Sequence, residues 1–231
     1  MSKAIQRISE YQPPRNTTLL KPFIESMGIG AITRALMGNT RTLGFMFGQL
    51  SKRNKSDAVF LNTMTQMTIS PNVCGGGTKV NTIPGQAYVD VDVRTLPGQD
   101  EEYVINQFQK ALAGMLEDVT IESVPVDLGG GFNPGNISDM KSPLVKIIES
   151  VVRNLRGQEM TLVPMVSPGA TDSRFFRRAF GTNAYGFSLH DGSLEIGELM
   201  AMFHGTNERV PLGTLELTSK GYMEIVRKLL G

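Results

Sequence analysis

His204 stands in FHGTNERVPLG, ahead of Asn207, Glu208 and Arg209, and it is one of only two histidines in the chain. A neutral imidazole is a common zinc ligand, but zinc takes three or four protein ligands, so a lone histidine reads more simply as a hydrogen-bonded loop residue. Two other polar clusters can meet a ligand. In NTIPGQAYVDVDVR, Asn81 precedes a turn and Arg94 ends a strand, offering an amide for a carbonyl oxygen and a guanidinium fork for a carboxylate. The local alternative is a turn cap at Asn81 and an Arg94–Asp92 pair. In SPGATDSRFF, Gly169 allows close backbone approach, Thr171 or Asp172 can cap a helix, and Arg174 lies one turn in, where free N–H groups favour an anion. Plain capping beside a surface arginine accounts for the same residues. His190 in SLHDG has a weaker case, and LMAMF reads as core packing. Gly-x-Ser-x-Gly, a phosphate-binding glycine loop, paired metal-binding histidines and a Cys/His nucleophile pattern are all absent, and GGG at 75–77 reads as a turn.

The elements that must position these clusters follow from hydrophobic spacing. Ile5, Ile8 and Tyr11 mark an opening helix that Pro13 and Pro14 end. Residues 16 to 58 mix short helical patterns with glycines, and LGFMFGQL is a buried helix or a docking surface. LNTMTQMTIS reads as a strand from Leu61 that stops at Pro71 and the CGGG turn. In QAYVDVDVRT, Ala87, Val89, Val91 and Val93 alternate with polar residues, so one strand face is buried and Arg94 is on the other. Asp100 caps a helix through Val104, Phe108 and Met115, and VTIESVPVDL is a further strand. This helix-β-β-α-β series is a ferredoxin-like sandwich without its first strand, which would lie inside the sheet. GGGFNPGNISDM is the expected domain boundary. Beyond it the pattern is αβαβα: a helix from Ser142 and Pro143 to Gly157, a strand at TLVPMV, a short helix at TDSRFFRRAF, a strand at NAYGFSL and a last helix from about Thr214 to Leu230.

Composition bounds the partners. With 23 basic and 22 acidic residues the net charge is +1, which gives no electrostatic reason to expect nucleic acid or an acidic membrane surface. Small molecules or peptides are the default ligands. The single cysteine, Cys74, excludes an internal disulfide and a cysteine-rich zinc site and fits the cytoplasm. No apolar run approaches the roughly 20 residues of a membrane span, and the N-terminus is not a secretory signal.

Taken in order, NTIPGQAYVDVDVR, GATDSR and HGTNE resemble segments of the dimeric di-zinc exopeptidase and aminoacylase family, which includes carboxypeptidase S, glutamate carboxypeptidase and succinyl-diaminopimelate desuccinylase. The resemblance implies an α/β chain in two parts. Residues 1–128 would be an incomplete ferredoxin-like α+β lid, or dimerisation domain, lacking its first strand and carrying a helical insertion at about 16–58. Residues 129–231 would be the C-terminal part of the α/β/α catalytic domain. It implies that His204 is a terminal ligand of one of two zinc ions and that Arg174 binds the substrate carboxylate. Asn81 and Arg94 would hold the scissile carbonyl and that carboxylate, and Thr171 and Asp172 would shape the pocket floor. The substrate class would be peptides or N-acyl amino acids. The family's His-x-Asp ligand motif, bridging aspartate, Glu-Glu pair with the general base, and lid histidine have no counterpart in the sequence. The expectation is therefore a truncated or split chain, inactive alone, that forms a homodimer or joins a complementing N-terminal chain. The alternatives are a non-catalytic dimerisation or carboxylate-binding module, or a decayed product prone to self-association.

Overall fold

The computed structural model describes residues 1–124, 131–167, 169–194, 198–199 and 202–231. Helix α1 (Ser2–Glu10) buries Ala4 and Ile8 on one face. They pack with Phe108 and Leu112 at the end of α6 (Glu101–Ala111), and Ile69, Val91 and Val93 of a β-hairpin close the cluster. The start of α6 is fixed as its sequence suggests: the Asp100 carboxylate accepts the Tyr103 N–H at 2.8 Å, with Glu101 and Glu102 in the first turn.

The hairpin pairs β1 (Thr68–Gly76) with β2 (Ala87–Arg94) antiparallel, from Thr68 opposite Arg94 to Gly76 opposite Ala87. The strand expected from Leu61 to Pro71 is displaced. Helix α5 (Lys55–Thr63) runs through Leu61, and β1 begins at Thr68 and passes through Pro71. The Thr63 and Thr65 hydroxyls bond back to the Phe60 and Asn62 carbonyls, Thr65 at 2.8 Å, so these two threonines close the end of the helix, whereas Thr68 opens β1. Proline is accommodated because the register shifts between Pro71 and Val73, and because β1 has a partner on one edge only. Glycines 75 and 76 belong to the strand, and Gly77, at φ 79°, begins the turn.

Between α1 and the hairpin, α2 (Leu20–Ser26), α3 (Ala31–Met37), α4 (Thr40–Ser51) and α5 form a separate helical cluster around Leu20, Ile24, Leu43, Phe47 and Met64. Asn39 and Asn54 cap α4 and α5 by accepting the Arg41 and Asp57 N–H groups. LGFMFGQL lies within α4: Leu43 and Phe47 face the core while Phe45 is exposed.

In the second half, α7 (Pro143–Arg156) and α9 (Leu212–Leu230) pack through Ile148, Val151, Val152 and Ile225, with Leu189 between them. Gly221 is required there, since a methyl group on it would lie 3.1 Å from Leu189 and 3.2 Å from Phe187. Helix α8 (Ser173–Phe180) buries no residue. Ser142 precedes Pro143 as expected, but its hydroxyl bonds Tyr185 at 2.7 Å rather than capping α7.

Three expected strands are not strands here. Residues 119–124, TLVPMV and NAYGFSL have no ladder partner, and the described residues contain a single two-stranded sheet. Their apolar side chains still point inward: Val119 and Ile121 onto the α1–α6 cluster, Leu162, Tyr185 and Phe187 onto the α7–α9 cluster. The alternation fixed which face is buried, but a ladder also needs a neighbouring strand, and among the described residues none lies beside these segments. Residues 125–128 of VTIESVPVDL, 129–130 of the boundary loop, Pro168 of SPGATDSRFF, and Met200 and Ala201 of LMAMF lie outside the described residues. Among those described, no helix is long and apolar enough to cross a membrane.

Candidate functional site

The start of α8 gathers three of the singled-out residues. Asp172 is its N-cap by position, with Thr171 before it, yet neither side chain makes a capping hydrogen bond. The turn is closed by backbone instead, with the Arg174 N–H donating to the Thr171 carbonyl at 3.1 Å. Arg174 is half-buried, its guanidinium carbon 4.7 Å from the centre of the Phe175 ring, and its buried Nε has no hydrogen-bond partner. Among the described residues no carboxylate pairs with this guanidinium, and a guanidinium so held on an aromatic face is open to an anionic ligand.

One turn further on, Arg177 is used structurally. Its Nε donates to Ser138 Oγ at 2.8 Å, one Nη to Asn136 Oδ1 at 2.9 Å, and the other Nη to the Ala184 carbonyl. The Ser138 hydroxyl in turn bonds both backbone groups of Ala184. This network ties α8 to the boundary loop and to residue 184, and so aims Arg174. The sequence offered two adjacent arginines, Arg177 and Arg178, with nothing to say which one turns inward.

The hairpin places its two candidates at opposite ends. Asn81 is exposed in the turn beyond Gly77, whereas Arg94 pairs across from Thr68 at the other end. Seven residues of strand, roughly 24 Å, separate Ala87 from Arg94, so this arrangement does not bring Asn81 and Arg94 to one small ligand. Arg94 Nε donates to Asp92 Oδ2 at 2.8 Å, with both side chains nearly half exposed. Such an exposed pair contributes about 0–1 kcal/mol, and a ligand carboxylate can displace it at little cost.

His204 lies in an exposed turn where it and Asn207 both adopt left-handed backbone, φ 58° and 65°. Each such non-glycine residue costs about 1 kcal/mol or more, so the shape of HGTNE is imposed rather than preferred. The His204 backbone N–H donates to Glu208 Oε2 at 3.3 Å. Among the described residues, no group of three or more His, Cys, Asp or Glu side chains is placed to hold a metal ion. The described residues do not on their own fit a zinc centre.

The other histidine adjoins a carboxylate that is fully engaged. Asp191 Oδ1 accepts the Ser193 hydroxyl at 2.7 Å, the Ser193 N–H at 3.0 Å and the Thr214 hydroxyl at 3.1 Å. The Ser193 hydroxyl and then its N–H hold the Asp191 carboxyl below its ordinary range. Asp191 thereby pins the start of α9. His190 Nδ1 is buried beside it without a hydrogen-bond partner. No hydrogen bond or ion pair joins the hairpin residues, the α8 start and the His204 turn among the described residues.

Parts of the chain are similar to known proteins. Residues 1–120 match a family model described as the peptidase dimerisation domain. A probable succinyl-diaminopimelate desuccinylase of Staphylococcus epidermidis is 30% identical over 112 residues, 48% of this chain and 25% of that protein. An N-fatty-acyl-amino acid synthase/hydrolase of Danio rerio is 24% identical over 196 residues, 84% of this chain and 35% of that protein. The protein of that name from Homo sapiens is 25% identical over 185 residues, 79% of this chain and 34% of its own length. The chain therefore spans between 25% and 35% of these relatives. No solved structure matches it.

Proposed function

Because the chain belongs to the M20 peptidase family through the peptidase dimerisation domain at residues 1–120, we propose that it is the lid and carboxylate-binding part of a zinc-dependent hydrolase. Its substrates are peptides or N-acyl amino acids, cleaved at the amide bond. The observation that carries this reading is the length of the match to the N-fatty-acyl-amino acid enzymes: 196 residues, well beyond the dimerisation domain and into the half that holds GATDSR and HGTNE.

In this assignment Arg174 takes the substrate carboxylate, supported by its partnerless Nε, with Thr171 and Asp172 forming the floor beside it. Arg94 and Asn81 act from the lid. Their separation along one hairpin means that they serve different parts of a substrate or different copies of a homodimer. His204 would supply one imidazole to a zinc ion held mainly by other polypeptide, and a zinc ion so bound would serve to polarise the amide carbonyl and activate water. The remaining ligands and the general base come from polypeptide outside this sequence, whether of the same protein or of a complementing chain.

The purified 231-residue chain supplied with zinc is expected to show no turnover of N-acetyl amino acids or dipeptides. Turnover that disappears in His204→Ala would overturn the assignment of the missing ligands to other polypeptide. A non-catalytic dimerisation or carboxylate-binding module is the second reading, favoured by the lack of a metal cluster among the described residues. The readings part on co-production with a polypeptide carrying His-x-Asp and Glu-Glu segments. Only the hydrolase reading expects zinc uptake and hydrolysis.

A further inference from the structure

The net charge of +1 is spread unevenly. Residues 20–63, which hold α2–α5, carry Lys21, Arg34, Arg41, Lys52, Arg53 and Lys55 against Glu25 and Asp57, a net +4, so the rest of the chain is net acidic. All six cations are exposed, and none of them forms an ion pair among the described residues. Arg34, Lys52 and Arg53 lie at helix C-terminal ends, which favour cations. Lys21, Arg41 and Lys55 do not: each stands in the first turn of its helix, at the positive end, and the first turns of α2 and α4 hold no acidic residue to offset it. Helix stability therefore leaves these three unexplained, whereas an anionic partner would be attracted by all six.

The same helices turn apolar side chains to solvent. On α4, Arg41, Phe45, Gly48 and Lys52 follow one another at steps of three or four residues, on the side away from the buried Leu43 and Phe47. Phe45 is 67% exposed, and a methyl group on Gly48 would meet nothing within 4 Å, so the ring stands on open surface between two cations. Ile32, 79% exposed, and Leu36 lie one turn apart on α3, whose end is tied to α4 by the Thr42 hydroxyl donating to the Leu36 carbonyl. LGFMFGQL thus serves as core on one side and as open surface on the other. An exposed aromatic ring between long-stemmed cations suits a deformable anionic surface. The ring enters the boundary between headgroups and acyl chains, while the Arg41 and Lys52 stems let their charges stay among lipid phosphates.

We propose that the outward face of α4, with Ile32 and Leu36 beside it, docks on an anionic lipid bilayer. The contact is peripheral, since no helix among the described residues is long and apolar enough to cross a membrane. It uses none of the residues assigned to substrate or metal and does not rest on the hydrolase reading. The test is co-flotation of the full chain with vesicles of phosphatidylcholine alone and of phosphatidylcholine mixed with phosphatidylserine. The chain is expected to float with the anionic vesicles only, and less as salt rises. Arg41→Glu combined with Lys52→Glu weakens this binding at least about tenfold, and Phe45→Ser weakens it about tenfold. Phe45 is exposed, so its substitution leaves the core filled. Lys79→Glu combined with Lys146→Glu makes the same change of charge at exposed positions outside α2–α5 and leaves binding within about threefold of the parent. Phe176→Ser, which removes an exposed aromatic ring from α8, leaves it unchanged. The proposal is overturned if the chain does not float, the result expected if this face serves an acidic protein instead. It is equally overturned if neutral vesicles carry the chain as well as anionic ones, or if the Phe176 or Lys79 and Lys146 variants lose as much binding as the α4 variants.

Discussion

Arg94 and Arg174 are both candidate anion binders by sequence, with an Arg94–Asp92 pair the simpler reading for Arg94, and their surroundings separate them. Arg94 sits two residues from Asp92 on the same strand face and pairs with it, as strand periodicity allows. Arg174 stacks on its neighbour Phe175 and keeps a partnerless Nε, which no spacing rule reveals. Asp191 bonds locally to Ser193, as many turn aspartates do, and its link to α9 depends on Thr214, 23 residues away in sequence. Its lowered carboxyl gives a signed expectation. A carboxylate whose folded pKa is depressed stabilises the fold above the unfolded value of about 3.9, and the effect is lost as pH falls through the folded value. Asp191→Asn is therefore expected to melt earlier than the parent at pH 7, by circular dichroism, with the difference fading below about pH 4. Gly213 tests the same contact. Alanine in a helix is normally favoured over glycine by about 1 kcal/mol, but a methyl group at Gly213 collides with the Asp191 side chain. Gly213→Ala is expected to lower the unfolding midpoint, and to lower it less once Asp191→Ala has removed the carboxyl group and left only the residue 191 Cβ, 3.2 Å away.

At the scale of elements, helices were legible and strands only partly so. Asp100 caps α6 and Pro143 opens α7 because those signals act within one turn of chain. β2 was legible through its alternation, and its partner β1 was misplaced by several residues because Pro71 and the following glycines resemble a stop until the bulge accommodates them. NAYGFSL shows the deeper limit: Tyr185 and Phe187 reach the α7–α9 core, but among the described residues no neighbouring strand completes a ladder. The α2–α5 cluster has its own core, which makes it a testable unit. Leu43 is fully buried at its centre, so Leu43→Ala is expected to cost about 2–5 kcal/mol in denaturant unfolding. A loss under 1 kcal/mol would mean that α4 does not carry the packing described.

For the whole molecule, exposed apolar surface is the dominant feature. Phe175, Phe176 and Phe180 of α8 are exposed, as are Leu215, Tyr222 and Val226 of α9. Apolar faces of this kind, and a strand edge without a partner among the described residues, favour association, so sedimentation velocity at micromolar concentration is expected to show dimers or larger species rather than a monomer. The dimerisation domain at residues 1–120 fits the same outcome. The central claim is that this chain contributes a carboxylate clamp and one metal ligand to a larger hydrolase. The most direct measurement is the kinetics of N-acetyl amino acid hydrolysis by this chain assembled with a polypeptide bearing the His-x-Asp and Glu-Glu segments. The account predicts zinc-dependent turnover that His204→Ala abolishes, with KM raised at least about tenfold by Arg174→Ala through loss of the charge-assisted carboxylate contact. Turnover indifferent to both substitutions, or a zinc-loaded assembly that cleaves nothing, would contradict it.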